Sequence, residues 1–462
     1  MLSSLHSAAS VPSSVNSTSW VKSTSWVNST RAAVPTWLNS STGVHAFLTF
    51  DSGASASAIS EYADKIDFVW GASESHVAAW RASRNPNVVL SKYMPFSRDM
   101  ANNVTDEMLP WWQENYPSLV LYQCDRVTPA WECFAGEGCK HRNVPLDLTN
   151  PATLAYQMRV GVMPAAAAGY NAMALDNYNL RNVWKACGAF SGPGGAWTQL
   201  YDEADPDHDP QYTADVLDWT ARATEQMHAA GMLVIPNFSS RDLSDSAVLA
   251  VGNLTDGMLA EAGFTMWNPV PNTSSLTTPP PMTSPSKFAE QVRFVRNLQR
   301  QGKGFFAINE WGAGPDYGLN PSGFPYNVSG PAGRPVRQFV VAAFLMVNGG
   351  ACGIFLSCIQ CYGAKNGGGL GNFSVWPEYS APVGRPLEEP AMASASGVWS
   401  RRYSGGLTIV NPSNTTQEMV LPPGSWLDLY DQPIGTDTVQ LPAASGLVLL
   451  STARVLQSYR RG

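Results

Sequence analysis

The sequence predicts a (β/α)8 TIM barrel followed by a small C-terminal antiparallel β-sandwich. Three observations carry this. From His45 to Leu356, short apolar runs alternate with stretches whose apolar residues recur at helical spacing, the pattern of βα units on a parallel sheet. Several of those runs end abruptly in an acid or an amide, as barrel strands do when they deliver side chains to the C-terminal mouth. Near residue 393 the helical spacing stops, and brief alternating runs split by Pro, Gly and Asn take over.

Residues 1–42 are Ser/Thr-rich and repeat Asn16-Ser-Thr-Ser-Trp-Val as Lys22-Ser-Thr-Ser-Trp-Val, which predicts a disordered or glycosylated leader. The barrel is expected over 43–392, the sandwich over 393–455 and a tail over 456–462. Strands one to three are Ala46–Phe50 running into Asp51, Ile66–Trp70 into Gly71, and Val88–Leu90 into Ser91-Lys92-Tyr93. A long excursion follows, with Trp111-Trp112, a short strand at Leu119–Gln123 ending in Cys124-Asp125, and a cysteine-bearing loop; loops of that length are more often functional than idle. Asn150 can cap a helix carrying Leu154, Met158 and Val162, and Pro164 is expected to end it. Strand four, Ala172–Asp176, comes next. A helix over 212–230 buries Val216, Trp219, Ala223 and Met227 and stops at Gly231. Strand five is Met232–Pro236 before Asn237, and strand six Asp256–Ala260 before Glu261. A helix with Phe288, Val292, Val295 and Leu298 stops at Gly302. Strand seven, Phe305–Ile308, precedes Asn309-Glu310-Trp311, and a helix at Arg337–Val347 leads to strand eight, Cys352–Leu356. The sandwich strands are Gly405–Val410, Gln417–Leu421, Trp426–Tyr430, Thr438–Leu441 and Leu447–Leu450.

Composition narrows the function. With 29 basic and 36 acidic residues the net charge is -7 and no basic run occurs, which argues against nucleic acid or an anionic membrane as partner. No stretch is long and apolar enough to span a bilayer. Sixteen Trp exceed what a core needs and fit platforms for sugar rings. Seven Cys include Cys133, Cys139 and nearby Cys124 in one segment and a lone Cys358-x-x-Cys361; with six scattered His, disulfides are favoured over zinc, and no cofactor is implied. Sequons at Asn16, Asn28, Asn39, Asn103, Asn237, Asn253, Asn272, Asn327, Asn372 and Asn414 point to a secreted or cell-surface chain, although residues 1–30 lack a signal peptide's apolar core. A monomer is expected.

The strand ends present Asp51, Lys92-Tyr93, Asp125, Asp176, Asn237, Glu261 and Glu310, with no His. A serine triad lacks its G-x-S-x-G elbow, and a phosphate site lacks G-x-x-x-x-G-K-[ST]. Paired carboxylates remain, the chemistry of glycoside hydrolysis. The stretches Ser91-Lys-Tyr-Met-Pro-Phe-Ser-Arg-Asp99, Leu121-Tyr-Gln-Cys-Asp-Arg-Val-Thr-Pro-Ala130, Val144-Pro-Leu-Asp147, Ala174-Leu-Asp-Asn177 and Leu259-Ala-Glu-Ala-Gly-Phe264 resemble glycosyl-hydrolase-like family 15, a sequence-defined, barrel-type glycosidase-like family with largely unassigned substrates. The likeness covers most of 45–395, and Gly405–Pro412 is similar to the β-domain that often ends such chains. The resemblance implies Asp176 as nucleophile and Glu261 as general acid/base, with Glu310 the rival acid. Asp51, Asp125, Asn177 and Asn237 are expected to hold sugar hydroxyls, Lys92 and Arg98 to orient carboxylates, and Trp70, Tyr93, Trp131, Trp267 and Trp311 to stack on sugar. The partner is then a carbohydrate. A non-catalytic carbohydrate-binding barrel is the competing expectation, and a structural wall or matrix glycoprotein a third.

Overall fold

The computed structural model describes residues 44–51, 54–100, 108–133, 142–202, 204–205, 208–238, 243–260, 263–264, 285–311, 334–350, 352–358, 377–393 and 396–452, with the backbone alone at 310, 311, 336, 352, 355–358 and 377. Among these, one compact unit draws on 97–171 and 181–233, the other on 44–96, 172–180 and 234 onward.

In the second unit, eight parallel strands close a barrel in sequential order: Ala46–Thr49, Ile66–Trp70, Val89–Pro95, Ala172–Tyr178, Leu233–Phe238, Gly257–Ala260, Gly304–Trp311 and Cys352–Cys358, called here barrel strands one to eight. Ala46 pairs with Ile354 where strand eight meets strand one. Alternation along each strand turns every second side chain inward. Phe68 and Phe306 meet there at 4.3 Å between ring centroids, with Phe47 5.5 Å from Phe306, so a layer of phenylalanines plugs the barrel. The helix Pro285–Arg300 stops as its sequence predicts: Gly302 takes φ 72° and the Lys303 N–H returns to the Leu298 carbonyl.

The helix Arg334–Val347 is buried from Phe339 through Val347. An apolar circumference needs cover on more than one side. Barrel strand eight packs on one side, and the C-terminal sheet on another. That antiparallel sheet has six strands in the order Ala391–Met392, Trp399–Tyr403, Gly406–Asn411, Ser445–Ser451, Trp426–Leu427 and Pro433–Ile434. A two-stranded ribbon, Gln417–Val420 with Thr438–Leu441, closes over Val398, Leu407, Ile409 and Leu449. At Gly446 a Cβ would lie 2.8 Å from the Ala342 Cβ, so glycine lets the sheet sit directly on the helix. Arg401, 2% exposed, donates to the carbonyls of Leu345 (3.0 Å) and Asn348 (2.7 Å), answering the open carbonyls of the helix C-terminus.

In the first unit, Leu121–Tyr122, Gly188–Phe190 and Trp197–Gln199 form an antiparallel ladder, stapled by the Cys124–Cys187 disulfide; Cys133 is also disulfide-bonded. Asp209 caps the helix Pro210–Ala229 through the Gln211 N–H. The helix opened by Asn150 does not end at Pro164. It runs Pro151–Gln157, widens into a π turn over Met158–Val162, and continues as Met163–Ala167. The wider turn, with the Met163 N–H on the Met158 carbonyl, clears the space a pyrrolidine ring would otherwise contest. Among the described residues no helix is long and apolar enough to cross a membrane.

Candidate active site at the barrel mouth

Barrel strands three and four pair with Tyr93 opposite Ala174 and Pro95 opposite Asp176. This register brings the Tyr93 hydroxyl to Asp176, where it donates to Oδ2 at 2.5 Å. From strand five, the Asn237 amide donates to Oδ1 at 2.7 Å, and Asn177 reaches Oδ2 at 3.3 Å. The part-buried carboxylate thus has both oxygens oriented by charge-assisted bonds from neutral donors on neighbouring strands. The backbone turns immediately afterwards, Asn177 adopting φ 56°, a left-handed conformation that Asn tolerates better than most residues. Because Asn237 is 7% exposed and committed to Asp176, its sequon serves an internal bond rather than a glycan.

Phe50, which sequence reasoning passed over, stands beside this group. It follows strand one with φ 54°, and its ring lies 5.9 Å from that of Tyr93. The only signal in the sequence is an aromatic residue directly before a strand-end acid.

Other expected site residues lie elsewhere. Asp51 is fully buried and spends its carboxylate on the Ser73 N–H (2.7 Å) and the Trp80 indole (2.8 Å), with the His76 Nδ1 3.3 Å away, tying strand one to the helix Glu74–Arg81 in place of a sugar hydroxyl. Trp70 is 1% exposed and packs edge-on against Phe68 rather than offering a stacking face. Tyr93 contributes its hydroxyl to Asp176. Lys92, next along strand three, points its ammonium to Glu74 at 3.4 Å. Asp125 closes its own turn, accepting from the N–H groups of Val127 and Thr128 and from the Thr128 hydroxyl, and those bonds hold its carboxyl below the usual range. Arg98, 4% exposed, lies in the first unit with its Nε 3.9 Å from Glu132. Glu261 and Trp267 fall outside the described residues, as do the side chains of Glu310 and Trp311.

Ala260 pairs with Ala307 at the end of strand six. Two residues past Glu261, Gly263 approaches strand seven so closely that a Cβ would sit 2.4 Å from the Ile308 carbonyl. Asn309 accepts from the Phe264 N–H at 2.7 Å, and Gln291 donates to the Gly263 carbonyl. Alternation gives position 310 the same strand parity as Phe306.

The first unit holds a separate buried charge group. Asp99 is 1% exposed, next to Arg98 and near Glu132, which accepts from the Ser97 hydroxyl at 3.0 Å. Burial pushes the Asp99 carboxyl up to about 7, the Arg98 guanidinium opposing and Glu132 adding to the rise.

No protein-family model and no curated protein matches the chain. Solved structures do match, at low identity. A Bacillus licheniformis trehalose-6-phosphate hydrolase mutant is similar over 90% of this chain and 99% of its own, at TM-score 0.50 and 10% identity. A mutant of the trehalulose synthase MutB soaked with trehalulose is similar over 90% and 100%, also at 0.50 and 10%. An α-amylase from Malbranchea cinnamomea covers 91% and 97% at TM-score 0.47 and 11% identity. The chain shares with the first two the (β/α)8 barrel that carries a C-terminal β domain.

Proposed function

We propose that the protein is a glycoside hydrolase acting on an O-glycosidic bond of an oligo- or polysaccharide, with Asp176 as nucleophile and Glu261 as general acid/base, and with retention of configuration. The observation that carries it is the Asp176 carboxylate at a barrel strand end, aimed by Tyr93, Asn177 and Asn237. A nucleophile needs a fixed direction of attack, and three neutral donors supply it among the described residues.

In the first step an Asp176 oxygen bonds to the anomeric carbon as the glycosidic C–O bond breaks, and Glu261 gives its proton to the departing oxygen. In the second, Glu261 takes a proton from water, whose oxygen displaces Asp176. Strand order supports Glu261 over Glu310 as the partner: strand six lies two places from strand four, strand seven three. The family resemblance of the Ala174–Asn177 and Leu259–Phe264 stretches supports the same pair, and similarity to a trehalose-6-phosphate hydrolase and a trehalulose synthase is in keeping with sugar chemistry. A secreted or cell-surface enzyme fits the Cys124–Cys187 disulfide, which persists in oxidising compartments.

Turnover of a panel of oligosaccharides and 4-nitrophenyl glycosides tests the reading. Asp176→Asn should lower kcat by about a thousandfold or more, equivalent to roughly 4 kcal/mol of transition-state stabilisation, while binding persists. Azide should restore turnover in Glu261→Gln but not in Glu310→Gln. Full activity of Asp176→Asn, or an inverted first product by NMR, overturns the assignment. Binding without turnover across the panel would favour a carbohydrate-binding barrel.

A further inference from the structure

Phe50 pays a conformational cost that nothing in its own strand requires. A bulky residue at φ 54° is strained by about 1–3 kcal/mol and persists only where its surroundings dictate it. Those surroundings are visible. Its N–H donates to the Trp70 carbonyl at 2.7 Å. Its ring lies over Gly71, where an added Cβ would come within 2.5 Å of Cε1; Gly71, at φ 67°, leaves the space open. Asp51, the next residue, is locked by Ser73 and Trp80. The backbone is therefore pinned on both sides of the strained residue, and its ring is delivered to Tyr93 at 5.9 Å with the planes tilted by 48°.

A tyrosine ring turns about its Cα–Cβ and Cβ–Cγ bonds, and small rotations swing the distant hydroxyl by more than a hydrogen bond tolerates. Contact with a second, immobile ring removes that freedom. We propose that Phe50 is a positioning residue: its strained backbone holds its ring against Tyr93 and thereby keeps the Tyr93 hydroxyl on Asp176. This rests on the reading of Asp176 as nucleophile. It also gives the buried Asp51 network a purpose at the site, as the anchor behind the buttress.

The test needs no substrate. In full-length protein labelled at the aspartate carboxyl carbons, the Asp176 resonance is assigned by its loss in Asp176→Asn and followed against pH. Removing a donor to a carboxylate disfavours its charged form, so Tyr93→Phe should raise the titration midpoint. Phe50→Leu should raise it in the same sense by at least half as much, and the double variant should match Tyr93→Phe alone, since both changes act through one hydroxyl. Phe50→Tyr, which keeps the ring, should restore the wild-type midpoint and controls for misfolding. A wild-type midpoint in Phe50→Leu, or a double variant whose shift is the sum of the two, overturns the proposal. Failure here is distinct from failure of the hydrolase reading, which turnover by Asp176→Asn reports. Where hydrolysis is measured, the acid limb of kcat/KM should move in the same order with KM little changed.

Discussion

The buried Asp99 makes stability depend on pH in a direction opposite to that of most acids. Its carboxyl is raised from the ordinary 3.8 to about 7, so the folded chain holds this proton more tightly than the unfolded chain does. Stability contributed by the protonated group is fully present below the unfolded value and declines as pH rises toward 7, where the folded group also ionises. Three units at about 1.4 kcal/mol each give a loss on the order of 4 kcal/mol between pH 4 and pH 7, levelling off above. Among the described residues the groups facing Asp99 are Arg98, Glu132, Tyr156 and the Trp112 indole; burial, with smaller contributions from Tyr116 and Asp99, pushes the Tyr156 phenol up to about 12, so it stays neutral across this window. Asp99→Asn removes the titration while nearly preserving shape. Urea midpoints measured from pH 4 to 8 should fall with pH in the wild type and stay flatter in Asp99→Asn, with the variant gaining on the wild type at pH 8. Glu132→Gln removes the like charge that adds to the rise and should lessen the slope. Parallel curves for wild type and Asp99→Asn would refute the reasoning.

Two further predictions concern stability alone. Arg401→Ala leaves the carbonyls at the end of the helix Arg334–Val347 without their cation, and should cost about 2–4 kcal/mol, read as a lower Tm; Arg401→Lys should recover little, because one ammonium cannot reproduce the fork. Cys124→Ser with Cys187→Ser opens a link between residues 63 apart, and chain-entropy reasoning puts the loss at roughly 4 kcal/mol, measurable by chemical unfolding of the double variant against the oxidised parent.

What the sequence made legible was local. Gly231 and Gly302 mark helix ends because only the residue itself has to accept a positive φ, and both do. The eight apolar runs announce barrel strands because each carries its own periodicity. Asp176 stands out for the same reason, as a charge closing an apolar run. The roles that escaped reading depend on register between distant segments. Tyr93 was expected to stack on sugar, yet the pairing of Pro95 with Asp176 gives its hydroxyl a different task. Asp51 resembles every other strand-end acid until Trp80 and Ser73 close around it. The strand Trp399–Tyr403 is not among those the sequence predicts, and only the helix carbonyls beyond explain its buried Arg401. Pro164 ends a helix by local rules and is passed by a π turn that no local rule foretells.

That π turn has a consequence for the length of the chain. A helix with one i→i+5 turn carries a residue more than its regular ladder needs, which amounts to an insertion absorbed without any loop. Everything after it is rotated by about 100° relative to an uninterrupted helix. A chain lacking Gly161 would regain a uniform helix, but Ala165 would leave its buried position. Residue count between Asn150 and Ala167, more than residue identity, therefore sets which side chains of this helix are buried.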